Sequence, residues 1–451
     1  MRIAWVSNLP KGSDSGSAGE QSACSSDSLA AYTTSVLIPH LLKRDGYQIE
    51  LFHRGEARTY CDLPVFPYQR LRERHSQRPY DICLYQVEDH PESQWARIAC
   101  TLLPGITWFH DLYFASHGPE PILNSAWQVT KERFRDGVTP WAERGGEFEQ
   151  VAPIAAREAT CCLLPLFSVE RDALEYRRSI GSSLSTSFFS EKSPAYFLPM
   201  PVRDSLFSLP EQKRDERSPL QIALCSGARI EQRSHKVLQA LRTLEDRLNM
   251  QVQWLVAPDE KGRAEALLEE YALRDGTVTL RCDLSPNVWA EVIAQSDVAL
   301  HLRFSVFSHV QPYVGMSLAR GIPTVVTRFG ASEELPANIV YQIEPGVDES
   351  SQLVDVLTVI ASGTAPHKNA DGRGYAHELY HEQAIAAQLR HLLELTSESL
   401  EYKEAMAAWK TFEGSASEAL LAEVSEILHV DPSLQAPFKG EFEKVCDEFG
   451  W

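Results

Sequence analysis

Residues 298–327 read VALHLRFSVFSHVQPYVGMSLARGIPTVVT. A short apolar run stops at Arg303, a loop of mixed polarity follows, and Pro312 opens a segment with helical spacing. Gly321 closes that segment, and Pro323 leads into a second apolar run. Proline suits the first turn of a helix and glycine the position just past its end. The stretch therefore reads as strand, loop, helix, strand, the unit from which parallel sheets are built. In such sheets the mouth of the strand, where loop and helix begin, is the place that holds a ligand.

The same pattern extends in both directions. Upstream lie apolar runs at 221–227, 252–258 and 278–282, separated by helical patterns at 234–248, 261–272 and 287–296. Downstream come 339–343 and helical patterns at 351–362 and 376–396. The first half repeats the scheme: RIAWVS, a helix over 28–45 with Pro39 expected to kink it, then runs at 49–52, 82–87, 106–110, 161–166 and 195–200. Residues 203–219 are polar and charged with prolines inside them, which predicts a linker. The fold class is thus α/β, with two doubly wound Rossmann-like domains facing a cleft. The expected divisions are an N-terminal domain (1–202), a linker (203–219), a C-terminal domain (220–375), a helix returning to the N-terminal domain (376–397) and an acidic helical appendage (398–451).

With 451 residues and 43% apolar composition, the chain is long enough for two or three cores. The formal charge of −19 excludes a nucleic-acid partner as the expected one, because phosphate backbones select basic surfaces. Nine cysteines show no paired CxxC spacing, no apolar stretch approaches a membrane span, and the N-terminus lacks a leader pattern. The expectation is a soluble cytoplasmic protein, with peripheral attachment at the inner membrane also open. No zinc-type spacing stands out, and no metal or cofactor is expected. The appendage, amphipathic at 419–430, suits packing on the body or a protein partner.

Chemistry concentrates at two strand mouths. In IALCSGARIEQRSHK a strand ends at Gly227 and a helix begins near Ser234, with Arg229, Arg233, His235 and Lys236 between and just beyond them. Helix N-termini and cations together suit a diphosphate. At the second mouth Arg303, Ser308, His309 and Gln311 precede the next helix. Trp5, Trp108 and Trp254 read as core; Trp289 and Trp409 as core or sugar platforms.

The order of GARIEQRSHK, RCDLSPNVWAEVIAQSDVALHLRF and SLARGIPTVVTRFGASEELP resembles the C-terminal domain of family-four glycosyltransferases of the two-Rossmann-domain (GT-B) architecture, and YDICLYQVEDH…GITWFHDLYF is similar to their acceptor-side domain. The resemblance covers roughly residues 1–395 and implies transfer of a sugar from a UDP- or GDP-linked donor to a glycan, lipid-linked or protein acceptor, with retention and without a metal. It implies Arg229 and Lys236 at the donor diphosphate, with Arg233 as substitute. It further implies base contacts at the turn holding Cys282 and Leu284, His110 and Asp111 facing sugar and acceptor, and Glu334 in the loop after TVVT. The Ser/Gly-rich first loop, with Asp14, Ser15, Gly16 and Ser17, is expected near the phosphates. One departure stands out. The family's two glutamates, with seven residues between them, correspond here to Ser308 and Met316, so ribose would be held by Ser308, His309, Gln311 or Tyr313, or turnover is lost. Two other readings remain: a transferase fold kept as a binding or stabilising partner, and a nucleotide-sugar epimerase.

Overall fold

The structure is a computed structural model that describes residues 1–10, 28–43, 46–88, 93–111, 162–183, 195–209, 218–282, 286–304, 312–363 and 369–407. It contains two separate sheets. The first is built from β1 (Arg2–Val6), β2 (Gln48–His53), β3 (Arg58–Tyr60), β4 (Leu63–Pro67), β5 (Ile82–Val87), β6 (Ile106–Phe109), β7 (Leu164–Phe167) and β8 (Tyr196–Phe197). Their order is β3-β4-β2-β1-β5-β6-β7-β8, and all pairs are parallel except β3–β4. The second sheet holds β9 (Leu220–Leu224), β10 (Met250–Leu255), β11 (Val278–Arg281), β12 (Val298–His301), β13 (Thr324–Thr327) and β14 (Tyr341–Ile343). Its order is β11-β10-β9-β12-β13-β14, and every pair is parallel.

The apolar runs explain this arrangement. ICLYQV and TVVT are buried along their whole length, as strands covered on both faces must be. Trp5, Trp108 and Trp254 are fully buried in those cores, as their strand positions imply. In each sheet the chain winds one way and then the other from a central strand, β1 in the first and β9 in the second. Those reversals leave a crevice at the carboxyl ends of β1/β5 and of β9/β12.

Several details differ from the sequence-based expectation. The β3–β4 hairpin was not foreseen; its turn places Cys61 and Asp62 at φ 49° and 61°, the left-handed pair that a tight hairpin requires. The Leu29–Leu42 helix runs through Pro39 in its last turn, with Ser28 capping its start. Residues 203–209 are more than linker, because the short helix Asp204–Ser208 buries Leu206 and Phe207 in the C-terminal core. The single helix expected over 376–396 is two. Asn369–Tyr380 packs on the Pro312–Arg320 helix, and Glu382–Glu398 leaves for the N-terminal domain. There Leu389 and Leu393 join Trp5, Leu37 and Leu41 in one core.

The break at His381 is the second crossing between domains, and it is tied to the first. Val202 N–H donates to Tyr380 O (2.7 Å) and Glu382 N–H to Val202 O (3.1 Å). Both domain crossings are therefore stitched into one short parallel bridge. Of the appendage, Tyr402 is buried against the N-terminal core, and residues 408–451 with Trp409 lie outside the described residues. Among the described residues no helix is long and apolar enough to cross a membrane.

Candidate active site

The mouth of β9 is built by two side chains that cross it. A Cβ at Gly227 would collide with Gln232 Oε1 and Glu260 Oε2, so only glycine leaves them room. Both then hold the loop: Gln232 Oε1 accepts from Arg229 N–H (3.0 Å) and Glu260 Oε2 from Ala228 N–H (2.7 Å). Glu260 is buried, and its other oxygen meets Arg229 Nε at 2.6 Å. Arg233 sits at φ 57° and grips Glu349, a wholly buried carboxylate, through Nε (2.9 Å) and Nη2. Lys236 lies in the first turn of the Ser234–Leu244 helix and, among the described residues, meets no carboxylate. Burial, then the charges of Arg233 and Lys236, lower the pKa of His235 between them.

The charges decide the reading of this loop. Arg229 is matched by Glu260 and Arg233 by Glu349, so each pair presents little net charge to a ligand. Lys236 and the amides of the helix start carry the uncompensated positive potential. Sequence reasoning found the three cations but not the two glutamates that fix two of them. Their only signal is an acid at a helix start after a strand end, which is common.

At the neighbouring mouth Arg303 N–H donates to Thr327 Oγ1 (3.0 Å), tying the ends of β12 and β13 together. Met316, at the position where the resembled family carries its second glutamate, is core. A Cβ on Gly315 would lie 3.1 Å from Val202 and 3.4 Å from Tyr380, so this glycine lets the helix press on the domain crossings. Gly321, at φ 71°, closes the helix. Trp289 is buried with its ring stacked on Tyr313 at 3.5 Å, which makes it core. Cys282 is a half-buried thiol just past β11. Leu284, Ser308, His309 and Gln311 lie outside the described residues, as do Asp14, Ser15, Gly16 and Ser17.

In the N-terminal domain His110 and Asp111 follow β6, and both are buried. The His110 ring lies between Ser168 Oγ (2.8 Å from Nδ1) and Gln86 Oε1 (2.8 Å from Nε2). Gln86 donates its amide N–H to Thr34 Oγ1 (2.8 Å), so its oxygen must accept from His110 Nε2–H, and Ser168 O–H donates to Nδ1. Burial holds the imidazole neutral, with its pKa down to about 3 despite Asp111. With both nitrogens engaged, His110 is a fixed neutral group rather than a general base. The sequence reading also missed Glu88, a buried carboxylate after β5. It accepts from Asn8 Nδ2 (2.8 Å), Leu29 N–H (2.6 Å), Ala30 N–H (3.2 Å) and Ser28 O–H. It thus occupies the start of the first helix, where a phosphate would otherwise be favoured.

The two sets of strand ends meet. Arg171, just past β7, pairs with Glu333, just past β13, at 3.3 Å. Beside them Glu334 has its carboxyl pushed up to about 7, by the surrounding protein and by Glu170 across the gap, against the pull of Arg171. Among the described residues no group of three or more His, Cys, Asp or Glu side chains is placed to hold a metal ion.

No protein-family model matches the chain, and no curated protein matches it. Solved structures do. The fold is similar to sucrose-phosphate synthase from Thermosynechococcus elongatus, at 15% identity and TM-score 0.57, covering 90% of this chain and 99% of that one. It is similar to Anabaena HepE in complex with UDP-glucose, at 12% identity and TM-score 0.57, covering 87% and 99%. It is also similar to a glycosyltransferase from Rickettsia africae, at 13% identity and TM-score 0.55, covering 90% and 98%. At these identities the likeness establishes the fold: two Rossmann-like domains in the GT-B arrangement of glycosyltransferases.

Proposed function

We propose that the chain is a glycosyltransferase that moves a sugar from a nucleoside-diphosphate donor held by the C-terminal domain to an acceptor held by the N-terminal domain. The observation that carries this reading is the cationic loop at the β9/β12 reversal, in a domain whose β13 mouth touches the N-terminal domain through Arg171 and Glu333. The UDP and UDP-glucose bound by HepE, which shares the fold, support the donor class.

In this reading Lys236 and the amides of the Ser234–Leu244 helix start take up the charge that builds on the departing diphosphate. Arg229, oriented by Glu260, adds donors in a fixed direction. The acceptor oxygen bonds to the anomeric carbon as the carbon–oxygen bond to the diphosphate breaks, and the acceptor proton passes to the leaving phosphate. That route needs no side-chain base, which accords with the closed hydrogen bonding of His110. Transfer with retention and without a metal is part of the proposal. The acceptor is a glycan, a lipid-linked glycan or a protein.

A specific observation favours the second reading. Met316 is core where the resembled family has a carboxylate, and two of the three cations are already neutralised. A chain so altered would bind a nucleotide sugar, or a partner, without turning it over. The test is to follow thermal stability and slow donor hydrolysis with UDP, GDP and their glucose and mannose conjugates. Stabilisation with hydrolysis supports the transferase, and stabilisation without hydrolysis supports the binding protein. No response to any of them removes the transferase and leaves the reading of a fold kept as a partner of another protein.

A further inference from the structure

The two passages of the chain between its domains meet at one side chain, His381, which is buried. Its Nδ1 accepts from Gln383 N–H (3.3 Å) and so caps the start of the Glu382–Glu398 helix. A ring nitrogen that accepts carries no proton, so the proton sits on Nε2, and Nε2–H donates to Asp204 Oδ1 (3.1 Å). Asp204 opens the short helix that buries Leu206 and Phe207 in the C-terminal core. The Glu382–Glu398 helix sends Leu389 and Leu393 into the N-terminal core. One imidazole therefore joins the first turns of two helices that belong to different domains. Beside it the backbone does the same, through the bridge of Val202 with Tyr380 and Glu382.

Each side of this joint is gripped by its own domain. On the N-terminal side the Leu29–Leu42 helix holds both passages. Tyr32 O–H donates to Pro201 O (3.0 Å), Arg203 Nη2 donates to Ser35 Oγ (3.3 Å), and His40 Nε2 lies 3.2 Å from Glu382 Oε1. On the C-terminal side the Phe207 ring lies 5.2 Å from that of His381, and its carbonyl accepts from Arg373. The His377 ring stands 4.6 Å from that of His381. Gly315 brings the Pro312–Arg320 helix, which begins at the β12 mouth, against Val202 and Tyr380. Away from the joint the domains meet through Arg171 and Glu333, a half-exposed pair of the kind that water weakens.

We propose that His381 is the pin of a single hinge: by tying the returning helix to Asp204 it fixes the angle between the domains and hence the width of the cleft. Crossings at two separate points would brace the domains against each other. Crossings that share one bridge leave rotation about that bridge as the soft motion, and residues at element ends, such as Asp204 and His381, are where such a rotation is taken up. The side-chain bond beside the bridge limits it. His381 is a positioning residue in this scheme, and the hinge stands on these contacts whether or not the cleft turns over a sugar.

The test uses the full chain without ligand. Small-angle scattering gives the radius of gyration, and amide exchange reports the Glu382 N–H of the bridge. Asp204→Ala removes the tie and leaves the Gln383 cap in place, whereas Asp204→Asn keeps an oxygen to accept from Nε2–H. The expected result for Asp204→Ala is a larger radius of gyration and exchange at Glu382 about tenfold faster, with melting near the native temperature. Asp204→Asn should match the native chain in all three. His381→Ala, which also loses the cap, should open the chain to the same extent and melt lower. If either the radius or the exchange stays native in Asp204→Ala, the pin is overturned. Equal opening in Asp204→Asn overturns it too, because the effect would then belong to the charge of Asp204 and not to its bond with His381.

Discussion

Replacing Arg233 with alanine separates a residue that holds the loop from one that holds a ligand. Its partner Glu349 has no exposed surface, and the Arg233 side chain is only 16% exposed. Removing the arginine strands a buried carboxylate, which typically costs about 3–5 kcal/mol. For a domain of this size about 1 kcal/mol moves the midpoint by 2–4 °C, so the C-terminal domain should melt roughly 6–20 °C lower. Arg274, paired with Asp246 on the open surface, is the internal control; its alanine variant should cost about 0–1 kcal/mol. Two further variants check the cause. Arg233→Ala combined with Glu349→Leu should recover most of the loss, because no charge is then left buried. Arg233→Gly should be milder than Arg233→Ala by about 1 kcal/mol, since glycine accepts φ 57° without a side-chain clash. Thermal and urea unfolding read all of these. An Arg233→Ala protein as stable as Arg274→Ala would refute the assignment of Arg233 to the loop scaffold.

Further outcomes follow from particular groups. Gly227→Ala should displace Gln232 and Glu260 and cost about 1–3 kcal/mol, with weaker nucleotide binding measured alongside unfolding. Burial of Glu50 opposes its ionisation, but hydrogen bonds from Arg74, Tyr80 and Arg2 prevail and take its pKa down to about 2. Its folded pKa lies below the unfolded value of 4.5, so this contribution is present above pH 4.5 and lost as pH falls toward 2. Glu50→Gln should flatten that acid limb in urea titrations at successive pH values. Glu334 has the opposite sign: its folded pKa of about 7 exceeds the unfolded 4.5, so stability falls as pH rises between those values. The Glu334→Gln variant should lose that slope, and an unchanged slope would move the effect to other groups.

The division into two parallel sheets was legible because strands buried on both faces are continuous apolar runs; ICLYQV and TVVT read the same in sequence and structure. The β3–β4 hairpin was not, since its strands are half-polar and its Cys61-Asp62 turn lacks the usual glycine. The helix pair meeting at His381 read as one because the break is made by a backbone bridge to Val202, which no local pattern records. At the site the cations were visible by their clustering in an acidic chain. Their partners were not: Glu349 reaches Arg233 across 116 residues, and Glu260 reaches Ala228 across 32, distances that only the fold closes. His110 was identified by position, but its enclosure by Gln86 and Ser168 depends on three strands meeting side by side.

The measurement that bears most directly on the donor site is calorimetric titration of the native chain and of Lys236→Ala with UDP and GDP at low ionic strength. An ammonium about 4 Å from a phosphate is worth up to about 4 kcal/mol where water is partly excluded. The native chain should bind one of the nucleotides, and the variant should lose about tenfold to several hundredfold in affinity while melting at the native temperature. Equal affinity in the two proteins, with the fold intact, would place the diphosphate elsewhere and contradict the site described above.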